Sequence, residues 1–269
     1  MRHPAVAGRF YPGDRGALVA EIKRCFSHRI GPGMPTEHRN ERSIVSAIAP
    51  HAGYMASGMN AAHVYKEIAE DGLPEVYVIV GPDHYGIKYG VAMCGEPYVT
   101  PLGACRIHEE IAGRLRKAIP DDVSSHRLEH SVEAQVPFIQ FIDPDARMIP
   151  IIMSDQSRRC AEFLSKAIAD ACEGYDHVII ASSDLSHYVT RDRALSEGTA
   201  VIEKVCGRDI GGMYDVIKER NITACGYGPM AVSMLSKCSS ARLLRYSDSS
   251  DSLGRSGEVV AYSSVAFFR

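Results

Sequence analysis

The sequence predicts an α/β fold in which a central mixed, mostly parallel β-sheet carries helices on both faces. Three long apolar runs lack the alternation of polar and apolar residues that a half-exposed strand would show. They begin at Ile44, Val76 and His177, and stretches with helical periodicity lie between them. Strands that are buried on both faces and alternate with helices are typical of parallel sheets covered by helices.

Each of these three runs leads into a turn that presents a histidine. The runs read IVSAIAPHAGY, VYVIVGPDHYG and HVIIASSDLSHY, and they deliver His51, His84 and His187. In open α/β sheets, ligands bind beyond the carboxyl ends of the strands. We therefore expect these three histidines to meet in space.

Composition limits the class of protein. For 269 residues of which 45% are apolar, a single domain over residues 1–269 is expected. A net charge of -3 without a long basic run argues against nucleic-acid binding. No apolar stretch is long enough for a signal peptide or a membrane span, and the eight cysteines include no CxxC pair. A cytoplasmic protein with reduced thiols and no membrane contact is expected.

The first third of the chain predicts a helix, a strand and a second helix. Asp14 can cap a helix with one apolar stripe. Residues 28–42 are rich in glycine, proline and charge, which indicates a surface loop. After the first histidine strand, Gly53 and Gly58 indicate a loop that leads into a helix over residues 60–69.

The middle of the chain continues this alternation. The strand that begins at Val76 is followed by residues 89–101, whose prolines suit an edge strand or a loop. Apolar positions from Ile107 to Leu115 indicate an amphipathic helix. Residues 147–153 form a further buried strand, after which Asp155 can cap the next helix.

The last third of the chain predicts three helices and two closing strands. The helices cover residues 191–205, 209–219 and 230–236, and the strands cover residues 242–246 and 258–268. Residues 247–257, read SDSSDSLGRSG, form a mobile loop by composition. Because this loop follows the turn around Cys225, it is a candidate lid over the pocket.

The histidines allow a structural and a functional interpretation. A lone histidine at the end of a strand is most often a hydrogen-bonded structural residue. Three histidines in the same topological position favour a shared site, because neutral imidazole is the commonest protein ligand for metals. Six other histidines lack this context and are assigned to surface or core roles, namely His3, His28, His38, His108, His126 and His177. His63 suits packing inside a helix.

Cys225 differs from the other cysteines because it lies in the stretch TACGYGP. Two glycines and a proline around it indicate a tight turn where the backbone closely approaches another group. Cys225 is therefore a candidate thiolate ligand of a metal. The alternative is that the turn simply needs a small residue there.

Carboxylates accompany two of the histidines. Asp83 directly precedes His84, and Asp184 lies three residues before His187. A carboxylate in such a place can orient a ligand imidazole or complete the coordination of a metal. The alternative is that these aspartates cap the loop backbone.

The stretch SSHRLEHSVEAQVPF places Glu129, His130 and Glu133 close together. Glu129 and His130 are candidates for a pair that supports a ligand or transfers a proton, or they mark a solvated helix start. Helical spacing would place Glu129 and Glu133 on one helix face.

Several motifs, in this order, resemble the Memo family. They are APHAGY around His51, GPDHYG around His84, EHSVEAQVPF from Glu129, SSDLSHY around His187 and CGYGP around Cys225. YVTPLG, the opening HPAVAGRFYPG and the closing VVAYSSVAFF also match, so the resemblance covers essentially the whole chain. The family includes animal Memo and protein B of the AmmeMemoRadiSam set, which implies a functional link to a radical SAM protein.

The resemblance implies a fold similar to that of the class III extradiol dioxygenases, which are non-haem iron enzymes. It also implies a metal held by His51, His84 and Cys225, with Asp184 and His187 in the same pocket. Those dioxygenases bind iron through two histidines and a carboxylate, whereas here Cys225 stands where a carboxylate is expected. A thiolate shifts the preference toward copper or zinc and still permits iron, so Fe(II) is the first expectation and Cu or Zn are alternatives.

Three functions are consistent with such a pocket, and whether the protein is an enzyme is left open by the sequence. The first is a redox-active metalloprotein that activates dioxygen for a small aromatic substrate. In it, His187 would be the acid and base, held by Asp184 and assisted by His130. The second is a binding module for phosphotyrosine-like or other anionic peptides, as described for animal Memo. The third is a metal-dependent hydrolase.

Overall fold

Ten strands and ten α-helices make up the computed structural model, which describes residues 1–36, 38–254 and 257–269. The strands are β1 (Ile44–Ala49), β2 (Val76–Pro82), β3 (Val91–Met93), β4 (Tyr98–Thr100), β5 (Gly103–Ile107), β6 (Arg147–Met153), β7 (His177–Ser182), β8 (His187–Val189), β9 (Ser240–Asp248) and β10 (Val259–Phe268). The helices are α1 (Arg15–Ser27), α2 (Tyr54–Asp71), α3 (Glu109–Leu115), α4 (Val123–His126), α5 (Val136–Ile142), α6 (Arg158–Ala171), α7 (Arg191–Cys206), α8 (Ile210–Glu219), α9 (Tyr227–Met234) and α10 (Ser249–Leu253). A short 3-10 helix, Glu133–Gln135, precedes α5.

The strands form one sheet with the order β4-β5-β6-β2-β7-β1-β10-β8, to which β3 adds beside β6 and β9 beside β10. The five neighbours β5, β6, β2, β7 and β1 run parallel to one another. The remaining pairs are antiparallel: β4 with β5, β3 with β6, and β10 with β1, β8 and β9. The strand β10 therefore joins the parallel centre to β8 and β9. The predicted mixed sheet with a parallel centre is confirmed.

The helices form two layers. In one layer, α2 packs on β1, β9 and β10 and also contacts α1, α5 and α10. In the other layer, α9 packs on β1, β2 and β7 and contacts α6 and α8, while α7 joins α8 to β10. These layers cover the two faces of the sheet, as the apolar runs without alternation predict.

The centre of the sheet positions the candidate site. β1, β7 and β2 are adjacent and parallel, and every residue of β1 and β2 is buried. Parallel neighbours present their carboxyl ends at the same edge of a sheet. His51, His84 and Asp184 therefore emerge side by side, each just beyond the end of its strand.

The first helix agrees with its prediction, whereas the second begins earlier than predicted. The Asp14 side chain accepts a hydrogen bond from the backbone N–H of Ala17 and so caps α1. α2 begins at Tyr54 and contains Gly58, which the sequence assigns to a loop. A Cβ at Gly58 would lie 2.5 Å from Sγ of Cys25, so this glycine lets α1 and α2 approach closely.

Two predictions in the middle of the chain are also wrong in detail. Ile107 ends the strand β5, and the helix α3 begins only at Glu109. The helix α6 is capped by Ser157, and Asp155 instead accepts a hydrogen bond from the backbone N–H of that serine. The apolar spacing from Ile107 onward therefore runs across a boundary between a strand and a helix.

The prediction that Glu129 and Glu133 share a helix face is wrong. α4 ends at His126, and a turn separates it from the 3-10 helix that begins at Glu133. Glu129 hydrogen-bonds to His84, whereas Glu133 forms an ion pair with Arg2. The two carboxylates thus bind different partners, and the chain between them does not form a continuous helix.

The segment over residues 247–257 is not a loop throughout. It contains α10, in which the side chains of Asp248 and Asp251 form a capping box. Arg255 and Ser256 lie outside the described residues, so the lid stays a prediction. In the described ranges, no helix combines the length and the apolar character that crossing a membrane requires.

Candidate functional site

His51 lies buried just beyond the end of β1. Its Nδ1 is 2.9 Å from the Ser182 hydroxyl, and its backbone N–H donates to the Asp184 carboxylate at 2.9 Å. Its Nε2 is 3.3 Å from Sγ of Cys225. Burial lowers the pKa of His51 to about 3, so the imidazole is neutral and has a lone pair available for a ligand.

His84 is held by Glu129 through two contacts. The backbone N–H of His84 donates to this carboxylate at 2.7 Å, and Nδ1 lies 2.9 Å from its other oxygen. Burial raises the pKa of Glu129, but the hydrogen bond and charge of His84 outweigh it and lower the pKa to about 2. Glu129 in turn raises the pKa of His84 against the effect of burial. Nε2 of His84 is thus the ring nitrogen that remains for a ligand.

Cys225 lies in the turn before α9, where Gly226 is the N-cap. A Cβ at Gly226 would come within 2.5 Å of the Ser182 carbonyl oxygen, so a glycine is needed for the turn to lie against the end of β7. The backbone N–H of Asp184 points at Sγ of Cys225, 3.3 Å away. Burial, followed by the Asp184 carboxylate, raises the pKa of the Cys225 thiol, so a cation that binds there displaces a proton.

Asp184 lies between two imidazoles. Its Oδ2 is 4.0 Å from Nε2 of His51 and 4.0 Å from Nε2 of His187. Burial raises the pKa of Asp184, which brings this carboxyl group closer to accepting a proton. His187 is held by Thr223, whose carbonyl is 2.9 Å from Nδ1 and whose hydroxyl accepts the backbone N–H of His187 at 2.8 Å.

His130 forms one wall of the pocket. Its ring stacks on that of His84, with 4.5 Å between centroids, and the Phe10 ring packs edgewise against it at 4.8 Å. Among the described residues, Nδ1 of His130 is buried without a hydrogen-bond partner, although it lies 3.5 Å from a Glu129 oxygen. Burial lowers the pKa of His130 to about 4, so this wall is uncharged at neutral pH.

Three groups of side chains within the described residues bring donor atoms within 4.8 Å of one another. The groups are His51, His84 and Cys225; His84, Glu129 and His130; and Asp184, His187 and Cys225. The first group contains the two imidazoles and the thiol that the family resemblance implies as ligands. The nitrogen and sulfur of His51 and Cys225 are 3.3 Å apart, against roughly 3.6 Å between such ligands in a tetrahedral zinc site. These side chains therefore fit a transition metal ion.

The other residues singled out from sequence fall into two groups. Asp83 accepts backbone N–H groups of the following loop at 2.8–3.0 Å, which agrees with the capping alternative. His63 hydrogen-bonds to the Ile30 carbonyl, as expected of a packing residue. Asp184, His187 and His130 lie in or beside the pocket, as the hypothesis of a shared site requires.

Sequence reasoning missed the polar residues behind the histidines. Ser182, Gln135 and Thr223 each hydrogen-bond to a pocket histidine or to a residue that does. Serine, glutamine and threonine carry no ligand signal by type. The available signal was their position, because all three lie in or next to the stretches that carry the resemblance.

The amino-terminal segment holds the backbone around Glu129. Arg2 is buried, forms an ion pair with Glu133, and donates to the carbonyls of Glu129 at 2.6 Å and His126 at 3.0 Å. Glu133 also accepts the Tyr11 hydroxyl at 2.6 Å. Arg2 thereby anchors the backbone of the residue that holds His84.

The fold and the pocket define an α/β protein with a candidate metal centre of histidine and cysteine at the carboxyl ends of parallel strands. The chain belongs to the Memo family, because the family described as Memo-like protein matches residues 2–266.

Curated relatives match over their full length. A MEMO1 family protein of Methanopyrus kandleri is 39% identical over 280 residues, covering 100% of this chain and 99% of the relative. One of Methanothermobacter thermautotrophicus is 39% identical over 276 residues, with 99% and 100% covered. A crystal structure of an uncharacterized protein from Escherichia coli K12 aligns with a TM-score of 0.59 at 12% identity, covering 83% of this chain and 99% of that one. At this identity the likeness shows the fold alone.

Proposed function

We propose that this Memo family protein is a redox-active metalloprotein in which His51, His84 and Cys225 bind the metal. Fe(II) is the first expectation, with Cu or Zn as alternatives. The observation that carries the proposal is the convergence of two imidazoles and a thiol from three separate strand ends and turns. Ser182 and Glu129 engage the Nδ1 atoms of the two histidines, which leaves both Nε2 atoms for a metal.

The donor set suits Fe and Cu, which change oxidation state, because imidazole binds both metals and thiolate favours softer ions such as Cu(I). Zn would bind the same donors but would supply Lewis acidity alone. A metal bound there would supply Lewis acidity and electron transfer to a small aromatic or phenolic substrate in the presence of dioxygen.

The other pocket residues suit the handling of such a substrate. Asp184 and His187 can hold and move a proton at Nε2 of His187, which faces the carboxylate at 4.0 Å. The rings of His84, His130 and Phe10 give the site an aromatic side against which a substrate ring can pack. An anionic peptide fits this pocket less well, because the Asp184 carboxylate lies among the imidazoles that would have to bind it.

Metal analysis of protein purified without oxygen tests the ligand assignment. We expect near-stoichiometric metal in the wild type and a large loss in Cys225→Ser and His51→Ala. Cys160→Ser is the matched control, because Cys160 is also partly buried but lies on α6. Loading with Co(II) should give a thiolate charge-transfer absorption that is present in the wild type and in Cys160→Ser and absent in Cys225→Ser. Unchanged metal content in both site variants would contradict the proposal.

Oxygen dependence separates the proposed reaction from the alternatives. Consumption of dioxygen with a catechol or a related phenol, lost in His187→Ala, supports it. Turnover of a substrate in the absence of oxygen would instead indicate the metal-dependent hydrolase. Calorimetric binding of phosphotyrosine to the metal-free protein would indicate the peptide-binding module.

A further inference from the structure

We propose that Ser182 and Gln135 are positioning residues that hold His51 as its Nδ1–H tautomer. In this tautomer the lone pair of Nε2 faces Cys225 and the proposed metal. The consequence for metal binding rests on the proposed function, whereas the tautomer can be measured in the metal-free protein.

The orientation of the Gln135 amide is set by its neighbours. The Pro50 carbonyl, 3.0 Å from Nε2, can only accept a hydrogen bond, so the NH2 group must face it. The amide oxygen is then left to accept the Tyr65 hydroxyl at 2.6 Å. The second N–H of the amide donates to Oγ of Ser182 at 2.7 Å.

The hydroxyl of Ser182 has one hydrogen and two acceptor positions. The Ser131 carbonyl, 2.6 Å away, can only accept, so it takes that hydrogen. Gln135 fills one acceptor position, and the second faces Nδ1 of His51 at 2.9 Å. His51 must therefore donate this hydrogen bond, which places its proton on Nδ1.

The other tautomer carries a definite cost. Ser182 would have to donate to His51, and the Ser131 carbonyl would then face a hydroxyl oxygen at 2.6 Å without a hydrogen between them. Ser131, Gln135 and Ser182 are all fully buried, so water cannot repair the loss. A buried acceptor without its hydrogen bond is strongly unfavourable.

In the neighbouring histidines, a single partner is enough to set the Nδ1–H tautomer. Nδ1 of His84 faces the Glu129 carboxylate, and Nδ1 of His187 faces the Thr223 carbonyl. Both partners only accept, so each alone requires Nδ1–H. A hydroxyl can donate or accept, and hence His51 needs Gln135 and Ser131 to set the direction of Ser182. All three imidazoles then present Nε2 to the pocket.

Nitrogen-15 NMR of the metal-free protein tests the tautomer directly. Histidine would be labelled with 15N, two-bond proton–nitrogen correlations recorded, and the signals of His51 assigned with His51→Gln. We expect the Nδ1–H pattern in the wild type and the appearance of the Nε2–H pattern in Ser182→Ala. A wild-type His51 in the Nε2–H form would overturn the inference. This test uses the wild type alone, so it does not depend on whether a Ser182 variant folds.

Two further variants separate positioning from general stability. Ser46→Ala removes an equally buried serine hydroxyl from β1, one that bonds to the Ser233 carbonyl, and should leave the tautomer unchanged. Ser182→Thr keeps the hydroxyl and should retain the Nδ1–H form. If Ser182→Ala also retains the Nδ1–H form, Ser182 does not position His51.

Affinity for Co(II), measured by competition with a chromogenic chelator, gives the functional readout. We expect Ser182→Ala to bind about 10- to 100-fold more weakly, with Ser46→Ala and Ser182→Thr near the wild type. A changed tautomer with unchanged Co(II) affinity would support the positioning role and contradict His51 as a ligand. A weaker affinity with an unchanged tautomer would overturn the positioning role.

Discussion

At the scale of single residues, the histidines of this protein are distinguished by what faces their two ring nitrogens. His126 is fully buried outside the pocket, with Nε2 3.1 Å from the Ala92 carbonyl and Nδ1 2.6 Å from the Tyr98 hydroxyl. Both nitrogens thus have protein partners, and neither remains for a ligand. Burial lowers the pKa of His126 to about 4, so the neutral ring is part of the folded structure.

The pKa of His126 predicts how stability depends on pH. Its folded pKa of about 4 lies below its ordinary value of 6.5, so the unfolded chain takes up the proton first as the pH falls. The contribution of the neutral His126 ring to the free energy of unfolding is complete above pH 6.5. It is lost as the pH falls toward 4, by about 1.4 kcal/mol per pH unit.

Urea unfolding of the wild type and His126→Gln across this range checks the prediction. The amide of glutamine can donate through its NH2 group and accept through its carbonyl oxygen but does not titrate, so the stability difference between the two proteins should shrink as the pH falls. His51 and His130 titrate in both proteins and largely cancel in this difference. Parallel pH profiles would show that His126 is not held neutral.

Among single residues, type and motif were enough to find the groups that can touch a metal, but not those that orient them. Glu129 was identified by its proximity to His130 in the chain, and its partner proved to be His84 from another strand end. Ser182 and Gln135 acquire their roles only from contacts across 47 positions of the chain. Such contacts follow from the packing of strands and loops, which local sequence does not encode.

At the scale of secondary-structure elements, the packing of α1 against α2 depends on a glycine inside a helix. Glycine in a helix interior normally costs up to about 1 kcal/mol relative to alanine. A Cβ added at Gly58 would meet Sγ of Cys25 at 2.5 Å. A Cβ added at Gly113 in α3 would meet no atom of the described residues within 4 Å. These two glycines therefore respond to the same substitution in opposite directions.

We expect Gly58→Ala to destabilise the protein by about 1–3 kcal/mol, because the added methyl forces α1 and α2 apart. Gly113→Ala should stabilise it by about 0.4–1 kcal/mol through the unfolded chain. Chemical denaturation of both variants gives the comparison. Cys25→Ala removes the atom that clashes and should recover part of the loss in the double variant. Equal effects of the two alanines would rule out the close-packing explanation.

The elements that sequence predicted poorly share a physical cause. α2 was predicted too short because a glycine that permits close packing looks like one that ends a helix. β5 and β8 are short strands of five and three residues, and they are held by pairing with β6 and β10. Their own side chains give no clear periodic pattern. Long, fully buried elements such as β1 and β2 were recovered because their pattern reflects burial alone.

At the scale of the whole molecule, the candidate site depends on the order of the strands. The sequence predicted that three strands end in histidine, and parallel pairing of β1, β7 and β2 brings those ends together. It did not predict that β10, from the end of the chain, pairs with β1 and fixes β8 with His187 at the same edge. Pairing between distant strands is chosen by the whole core, so strand order cannot be deduced from the pattern of any one segment.

Because the proposed ligands come from β1, β2 and the turn before α9, a bound metal would tie together parts of the chain that are distant in sequence. A ligand that binds only the folded state stabilises it by about 2.7 kcal/mol at 100 times its dissociation constant. For a chain of this size, that corresponds to a rise in Tm of roughly 5–10 °C. We expect Co(II) to produce such a rise in metal-free wild type and in Cys160→Ser, and a chelator to reverse it. Cys225→Ser should lose most of the rise, since it removes the turn before α9 from the site. A rise of equal size in Cys225→Ser would mean that the ion binds elsewhere, and the coupling of these three elements through a metal would then be wrong.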